Sequence, residues 1–254
     1  MRHSFSYGLL ITSFLFFVSC GHEAVKTAYQ TENISVSEQA GALDSSIVNL
    51  YKPYKEILDK DMNRVISVSE FVMEKDKPES LLTNFLGDLL LYEGQRVAKE
   101  EGMDFVPSIS YYNYGGIRTS IPQGDITVEK VFELMPFENE MVFIELSGAD
   151  TKAFLDYIAD LGGDSVGGVR FSIKNERATH IKINGEDFDP QKNYWIVTND
   201  YVAAGGDGLA VLRDRINFIN SGKLIRDVII QNFEEHQKNN EKLTAKLDGR
   251  MRYE

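Results

Sequence analysis

The sequence contains only one cysteine, Cys20, and four histidines in 254 residues. A single cysteine excludes an internal disulfide and any zinc site that needs several thiolates. The histidines leave few ligands for a histidine-rich metal centre, and they are His3, His22, His180 and His236. Basic residues are also scarce, with 27 lysines and arginines against 39 acidic residues and a formal charge of −12. Because a protein that follows a nucleic-acid backbone needs a basic surface, we expect no general nucleic-acid binding.

Most of the chain has the composition of a folded domain. Hydrophobic residues make up 43% and charged residues 26%, which is typical of globular proteins and excludes extensive disorder. No internal repeat, long proline or glycine tract or strong charge block interrupts residues 47–254. We therefore predict one domain over residues 47–254.

The N-terminus has the features of a secretion signal. A basic start precedes an uncharged, mostly apolar stretch over residues 7–18, which is too short for a comfortable membrane span. Ser19-Cys20 at its end is similar to a bacterial lipobox, although Phe17 stands where leucine is usual. We predict a signal peptide over residues 1–19, lipidation of Cys20, and a tether over residues 20–46. The alternative is a buried thiol after an uncleaved anchor helix.

The predicted lipid anchor also indicates a location. Lipoproteins of this type carry more than one acyl chain on the cysteine, and two chains make membrane attachment stable. Gly21 occupies the position after the cysteine where aspartate often causes retention in the inner membrane. We therefore expect a protein of the bacterial cell envelope, anchored in the outer membrane and facing the periplasm.

Apolar spacing predicts a mixture of helices and strands. Apolar residues recur at helical spacing from Ser80, and further helices are predicted over about 127–134, 150–161 and 221–237. Strands are predicted over 105–112, 140–146, 169–173, 179–183 and 194–198, with a tight turn at Asn184-Gly185. Paired strands with interspersed helices favour the α+β class.

Three loops place glycines or proline beside polar and aromatic residues, a composition expected where backbone approaches a ligand closely. The first loop, residues 113–118, contains Gly115 and Gly116 and ends in Arg118, whose planar donors suit phosphate oxygens. Its alternative interpretation is a glycine turn followed by a solvated arginine.

The second and third loops each offer an aromatic face. The second loop is Met135-Pro136-Phe137-Glu138-Asn139, in which the ring of Phe137 is followed by the amide of Asn139, a group that suits the edge of a base. The alternative interpretation is that Phe137 is a core aromatic residue after a helix end. In residues 198–208 Tyr201 precedes Asp207, whose carboxylate suits two neighbouring sugar hydroxyls. The alternative for this third loop is a hairpin connection.

The order and spacing of these loops resemble the C-terminal domain of 5'-nucleotidases, the class that includes bacterial UDP-sugar hydrolases. The matching strings are Asn-x-Gly-Gly-Ile-Arg, Pro-Phe-x-Asn, and an aromatic residue six positions before the aspartate of Ala-Ala-Gly-Gly-Asp-Gly. The resemblance runs from about Ser67 to Tyr253. It also includes Glu79-Ser80, Asn84, Asp88, 168–171, 193–199 and 248–250.

The resemblance implies a four-layer α/β/β/α domain that captures the base, the ribose and part of the phosphate of a nucleotide. Phe137 and Tyr201 would enclose the base, and Asp207 would take the ribose hydroxyls. Arg118 would pair with phosphate. The full set of substrate-binding residues implied by the loops is Asn113, Gly115, Gly116, Arg118, Phe137, Asn139, Tyr201, Gly206 and Asp207.

Two positions differ from the usual family pattern. Tyr201 stands where many members have phenylalanine, which keeps the stacking face and adds a hydroxyl. Asp76, between Lys75 and Lys77, stands where members commonly place an additional phosphate-binding arginine. Because lysine lacks the planar two-pronged geometry of arginine, the resemblance implies a weaker phosphate grip or a preference for nucleosides.

In full-length family members an N-terminal metallophosphoesterase domain carries two metals, which activate the attacking water. Its usual motifs, Asp-x-His, Gly-Asn-His-Asp/Glu and Gly-His-x-His, do not occur in this sequence, and Gly21-His22-Glu23 is the nearest fragment. We therefore expect no catalytic residue, no metal ligand and no cofactor in this chain. Divalent metals are expected only on a partner metallophosphoesterase.

The leading hypothesis is a nucleotide- or nucleoside-binding half that completes a 5'-nucleotidase with a separate metallophosphoesterase chain. The second hypothesis is a free-standing nucleoside scavenger or sensor, and the third is a structural lipoprotein whose ligand site has decayed. Similar affinities for adenosine and AMP would favour the second hypothesis. Absence of any thermal stabilisation by ligand would favour the third.

Overall fold

Residues 44–254 are described by a computed structural model, so the predicted signal peptide, Cys20 and the tether up to residue 43 lie outside the described part. Within the described residues no helix is long and apolar enough to cross a membrane. Leu50–Glu254 form one compact unit, which holds all the strands given below.

The described residues form six α-helices, four of which begin at a side-chain cap. They are α1 Ser45–Met62, α2 Leu81–Glu100, α3 Val128–Leu134, α4 Gly148–Asp160, α5 Asp200–Ala203 and α6 Ile225–Lys238. Ser80 and Thr83 form a reciprocal capping box at the start of α2, in which the Thr83 N–H donates to Ser80 Oγ at 3.1 Å. The side chains of Thr127 and Ser147 cap α3 and α4 by accepting from the N–H groups of Lys130 and Asp150. Such caps satisfy backbone N–H groups that have no partner within the helix.

The strands of the described residues form three sheets. They are β1 Val65–Ser69, β2 Ile109–Tyr112, β3 Gly124–Thr127, β4 Glu140–Leu146, β5 Ser165–Gly167, β6 Val169–Lys174, β7 Arg177–Ile183, β8 Glu186–Asp187, β9 Tyr194–Asn199, β10 Asn217–Leu224 and β11 Met251–Tyr253. The order β10-β4-β9-β2-β5 makes a five-stranded sheet, and β11-β6-β7-β8 makes a four-stranded one. β1 pairs with β3 alone.

Apart from its edge strand β10, the five-stranded sheet is buried on both faces. On β4, Met141 and Phe143 belong to the apolar cluster shared with α2 and α6. Their neighbours Val142 and Ile144 belong to a second cluster, shared with α4 and the four-stranded sheet. Because successive side chains of a strand point to opposite faces, this alternation fixes the register of β4 between two cores. The sheet is therefore a firm support for the loops at its edges.

Strand directions bring three loops to one edge of this sheet. β2 and β9 are parallel, with Ile109 opposite Ile196, whereas β4 and β9 are antiparallel, with Met141 opposite Asn199. The carboxyl ends of β2 and β9 consequently lie beside the amino end of β4. The loops after β2, before β4 and after β9 are the three loops that the sequence singles out.

The structure corrects several predicted boundaries. The last helix was predicted from Ser221 but begins at Ile225, because Asn217–Leu224 form β10 on β4. The strand predicted from Phe105 begins at Ile109, and Phe105 stacks instead on Trp195 with ring centroids 3.6 Å apart. The turn at Asn184-Gly185 is confirmed by φ angles of 51° and 85°, and it leads into the short strand β8.

Candidate functional site

The three loops line a cavity of about 410 Å³ at the edge of the five-stranded sheet. Its lining consists of Asn113, Gly115, Gly116, Arg118, Phe137, Asn139, Tyr201 and Asp207. All of these are predicted site residues. The ninth, Gly206, lies against the Tyr201 ring, where a Cβ atom at residue 206 would come within 2.5 Å of a ring carbon. The structure thus brings the predicted residues of separate loops into one place.

The two aromatic side chains that were predicted to enclose a base line the cavity. Phe137 and Tyr201 are each 48% exposed. Phe137 is therefore no core residue, which rules out the alternative interpretation of the second loop. The third loop is no hairpin connection either, because β9 and β10 both pair with β4 rather than with each other. Half-exposed aromatic faces are suited to stacking on a planar ring.

The carboxylate of Asp207 is held in place before any ligand binds. Its Oδ1 accepts a hydrogen bond from the Tyr201 hydroxyl at 2.8 Å, and its Oδ2 accepts from Asn113 Nδ2 at 2.6 Å. Asp207 itself adopts a left-handed conformation, with φ 51° and ψ 28°. The Tyr157 hydroxyl, on α4, donates to the Asp207 carbonyl oxygen. Since each carboxylate oxygen has further acceptor capacity, the group remains able to accept from a ligand.

A buried amide orients Asn113. Asn199 is fully buried, and its Nδ2 donates to Asn113 Oδ1 at 3.1 Å while its Oδ1 caps α5 by accepting from the Val202 N–H at 2.9 Å. Asn113 in turn donates to Asp207. The amide plane of Asn113 is thereby fixed at both ends. An asparagine before a short helix is an N-cap signal, so Asn199 was detectable in the sequence as a cap, although not as a site residue.

Asp200 joins the second loop to the third. Its Oδ1 accepts from Asn139 Nδ2 at 2.9 Å, from the Glu140 N–H at 3.3 Å and from the Tyr201 N–H at 2.9 Å. The two loops that carry the aromatic rings are therefore linked through one carboxylate oxygen. Sequence reasoning missed this role, and it also missed Tyr157, which lies 50 residues from Asp207 and has no local signal.

Two cationic side chains donate hydrogen bonds to carbonyl oxygens of the first loop. Arg118 is exposed, and its Nη1 donates to the Gly115 carbonyl at 3.1 Å. Lys75 Nζ donates to the Tyr114 and Ile117 carbonyls at 3.1 and 2.6 Å, so it braces the first loop. Partial burial lowers the pKa of Lys75, and the nearby charge of Arg118 lowers it further. Among the described residues that line the cavity, Arg118 is the single cation, and Asp76 is not part of the lining.

A second carboxylate, Asp164, is buried behind the first loop. Its Oδ2 accepts from the Tyr111 hydroxyl at 3.0 Å and its Oδ1 from the Ser165 N–H at 2.7 Å. Burial raises the pKa of Asp164 to about 6, although these hydrogen bonds and the charge of Lys77 act in the opposite direction. Desolvation therefore dominates over the favourable contacts.

The described residues do not fit a metal centre. Over residues 44–254 no group of three or more histidine, cysteine, aspartate or glutamate side chains is arranged to hold a metal ion. His180 lies beside Glu254, and His236 lies on α6 beside Glu241. The two-metal hydrolysis implied by the resemblance therefore has no ligand set in this part of the chain, and we assign no metal-dependent step to it.

Comparisons with known proteins show similarity to one protein family. The family model described as "5'-nucleotidase, C-terminal domain" matches residues 57–214. Protein UshA of Escherichia coli is 29% identical over 204 residues, covering 78% of this chain and 35% of UshA. The silent protein UshA(0) of Salmonella typhimurium is 35% identical over 120 residues, covering 45% of this chain and 22% of that protein.

Solved structures share the fold. The 5'-nucleotidase precursor of Thermus thermophilus superposes with a TM-score of 0.65 at 24% identity, covering 82% of this chain and 42% of that chain. The predicted α+β class is confirmed by this likeness. The present chain spans less than half the length of each of these relatives.

Proposed function

This chain belongs to the 5'-nucleotidase C-terminal domain family, and we propose that it binds a nucleotide or nucleoside in the cavity between its three loops. The resemblance seen in the sequence is thereby confirmed at the level of the family. In this proposal the domain selects the substrate of a 5'-nucleotidase-type phosphohydrolase. The reaction belongs to nucleotide catabolism.

One observation carries the proposal. Two half-exposed aromatic side chains, Phe137 and Tyr201, come from different loops and line the same cavity as the ordered carboxylate of Asp207. A flat base fits aromatic faces, and a pair of ribose hydroxyls fits a carboxylate. The amides of Asn113 and Asn139 suit the edge of the base or the sugar. The exposed Arg118 suits the phosphate, because its guanidinium offers several donors in one plane.

We further propose that hydrolysis is performed by a metallophosphoesterase on a separate chain. Binding alone does not raise turnover, because an enzyme must stabilise the transition state more than the substrate. The 254-residue sequence contains none of the three metallophosphoesterase motifs. Support for a second half also comes from UshA of Escherichia coli, of which this chain covers only 35%.

The test mixes the full-length chain, purified in a mild detergent, with AMP, a UDP-sugar and Mn²⁺. Candidate partners are metallophosphoesterase chains of the same organism that carry the three motifs and no domain of the present family. We expect phosphate release only when both chains are present, and calorimetric binding of nucleotide by this chain alone. Phosphate release by this chain alone that survives metal removal would contradict the division of labour.

A second candidate function is a free-standing nucleoside scavenger or sensor. It is favoured by the single cation among the described lining residues and by Asp76 at the position of the additional arginine. Calorimetry separates the two functions. Equal affinities for adenosine and AMP would favour the scavenger, since the phosphate would then contribute little.

The proposed setting is the periplasmic face of the outer membrane, with the chain anchored through Cys20. This proposal rests on the sequence around Ser19-Cys20-Gly21, outside the described residues. Labelling cells with radioactive palmitate tests it. We expect incorporation into the wild-type chain and none into the Cys20→Ala variant, and equal labelling of both would contradict the anchor.

A further inference from the structure

Within residues 44–254, helix α1 presents an exposed apolar face. Its side chains Leu50, Tyr51, Tyr54, Ile57 and Leu58 are between 45% and 73% exposed, and no residue of the helix is buried. We call these five residues the α1 stripe. Single exposed apolar residues are ordinary on protein surfaces, whereas a contiguous row of them marks an interaction site.

The spacing of the α1 stripe matches a helix that docks in a groove. Its members recur at i, i+1, i+4, i+7 and i+8, which places them on one side of a helix. Helices that bind in protein grooves use anchors at this spacing. Tyr51 and Tyr54 add large aromatic rings, which are enriched among the residues that dominate protein interfaces.

The charges of α1 favour a protein surface over a lipid surface. Its lysines, Lys52, Lys55 and Lys60, are balanced by the acids Glu56, Asp59 and Asp61. Lys55 is paired with Asp59 at 2.7 Å. A helix that lies on an anionic membrane carries an excess of basic residues on its polar face. The whole chain is also acidic, with a formal charge of −12.

The position of α1 in the chain points to one occupant. The matched family domain begins at residue 57, inside α1, and it is by description the C-terminal domain of a 5'-nucleotidase. Most of the length of UshA from Escherichia coli, of which this chain covers 35%, is absent from the present sequence. α1 therefore lies where a C-terminal domain of this family adjoins the part of a longer chain that precedes it.

We propose that the α1 stripe docks into an apolar groove on the separate metallophosphoesterase chain and so joins the two halves of the enzyme. This inference rests on the proposed function. The anchors of this interface are Tyr54, Ile57 and their neighbours.

The test uses two matched double variants of the full-length chain. Tyr54→Ser with Ile57→Ser removes two anchors from the stripe and introduces no charge. Lys52→Ser with Glu56→Ser is the control, because it removes an exposed ion pair of 4.0 Å on the polar face and leaves the net charge unchanged. All four side chains are exposed, so neither variant disturbs the core.

We expect the stripe variant to raise the concentration of this chain needed for half-maximal AMP hydrolysis by about tenfold or more. Its calorimetric affinity for AMP should be unchanged, and the control variant should behave as wild type. Equal activation curves for all three proteins would overturn the docking site while leaving the division of labour intact. Binding of AMP without hydrolysis in the wild-type mixture would overturn both proposals.

Chemical protection identifies the occupant. Tyr54 in the full-length chain is nitrated with tetranitromethane, and Tyr92 on α2, which is 57% exposed, serves as the internal control. We expect Tyr54 to be protected only after the metallophosphoesterase is added. Protection in the concentrated chain alone would indicate a second copy as occupant and overturn the proposal. Protection in phosphatidylethanolamine–phosphatidylglycerol vesicles without the partner would indicate a lipid surface and overturn it equally.

Discussion

The hydroxyl of Tyr201 donates a hydrogen bond to Asp207 Oδ1 at 2.8 Å and accepts one from the Asp207 N–H at 3.3 Å. The ring proposed to stack on the base and the carboxylate proposed to bind the ribose are therefore a single ordered unit. A phenylalanine at residue 201 would supply the ring without this connection. The hydroxyl orders the carboxylate in the absence of ligand, and in the proposed site this reduces the conformational entropy that ribose binding would remove.

Tyr201→Phe should separate the two roles of this residue. We expect adenosine binding to weaken by about 1 kcal/mol, the net contribution of an ordinary hydrogen bond. Binding of 2',3'-dideoxyadenosine should stay the same, because its sugar has no hydroxyls for Asp207 to accept. Calorimetry with both ligands measures the difference, and equal losses for the two would show that the hydroxyl acts on the ring alone.

The aromatic pair should account for much of the affinity for the base. We expect Phe137→Ala and Tyr201→Ala each to weaken adenosine binding by about 1 to 3 kcal/mol, the usual contribution of a stacking platform. Both side chains are half exposed, so the fold should tolerate their loss. Phe218→Ala removes an aromatic residue of similar exposure outside the cavity and should leave binding unchanged. Unchanged affinity in both site variants would show that the base does not bind in this cavity.

Arg118 should distinguish nucleotides from nucleosides. We expect Arg118→Ala to weaken AMP binding by about 1.5 to 3 kcal/mol, the range of hydrogen bonds to charged groups, and to leave adenosine binding nearly unchanged. Arg177→Ala is a suitable control, because Arg177 is exposed and lies beside Asp156 on α4. Equal losses for AMP and adenosine would exclude Arg118 from the phosphate role.

Two adjacent glycines should respond differently to the same substitution. A Cβ atom at Gly115 would lie 3.5 Å from Asp207 Oδ2, an ordinary contact inside the cavity, whereas one at Gly116 would lie 2.7 Å from the Tyr112 ring. We expect Gly115→Ala to keep its melting temperature and to lose nucleoside affinity. Gly116→Ala should lower the melting temperature, because Tyr112 is buried and has little room to move. Thermal denaturation and calorimetry on both variants check this contrast.

The sequence was most informative where local chemistry decides the structure. The helix starts near Ser80 and Thr127 were predicted from short-range patterns, and the structure shows that the hydroxyls of both residues cap their helices. The prediction failed at Asn217–Leu224, where pairing with β4 overrides the helical spacing that begins at Leu224. Such pairing depends on residues about 75 positions away, and no local pattern reports it.

The candidate site shows the same limit. Each of its loops was recognised as a short sequence motif, and the family resemblance predicted that the three loops form one site. The supports behind the loops were not visible: Tyr157, Asp164 and Asp200 act through contacts with Asp207, Tyr111 and Asn139 that span more than 45 residues of sequence. The local sequence around an isolated aspartate or tyrosine does not indicate such a partner, because only the folded chain brings the two residues together.

Asp164 should make stability depend on pH in an unusual direction. Burial raises its pKa in the folded protein to about 6, from an ordinary value of 3.8. Between these values the folded state binds the proton more tightly than the unfolded state, so the free energy of unfolding falls as pH rises from about 4 to about 6. Below pH 3.8 both states are protonated and the effect is absent. Above pH 6 the carboxylate is charged in both states, and its burial lowers the free energy of unfolding by the full amount of about 3 kcal/mol.

Asp164→Asn tests this, because the amide keeps an acceptor for the Ser165 N–H and carries no charge at any pH. Urea denaturation measures the free energy of unfolding of both proteins at pH 4 and pH 8. The value for the variant minus that for wild type should be about 3 kcal/mol larger at pH 8 than at pH 4. The exposed Asp104→Asn serves as the control and should show no such difference. If Asp164→Asn changes stability equally at both pH values, the carboxylate behind the first loop titrates as an ordinary aspartate. The buried Asp164 carboxylate would then accept its hydrogen bond from Tyr111 without lowering the free energy of unfolding.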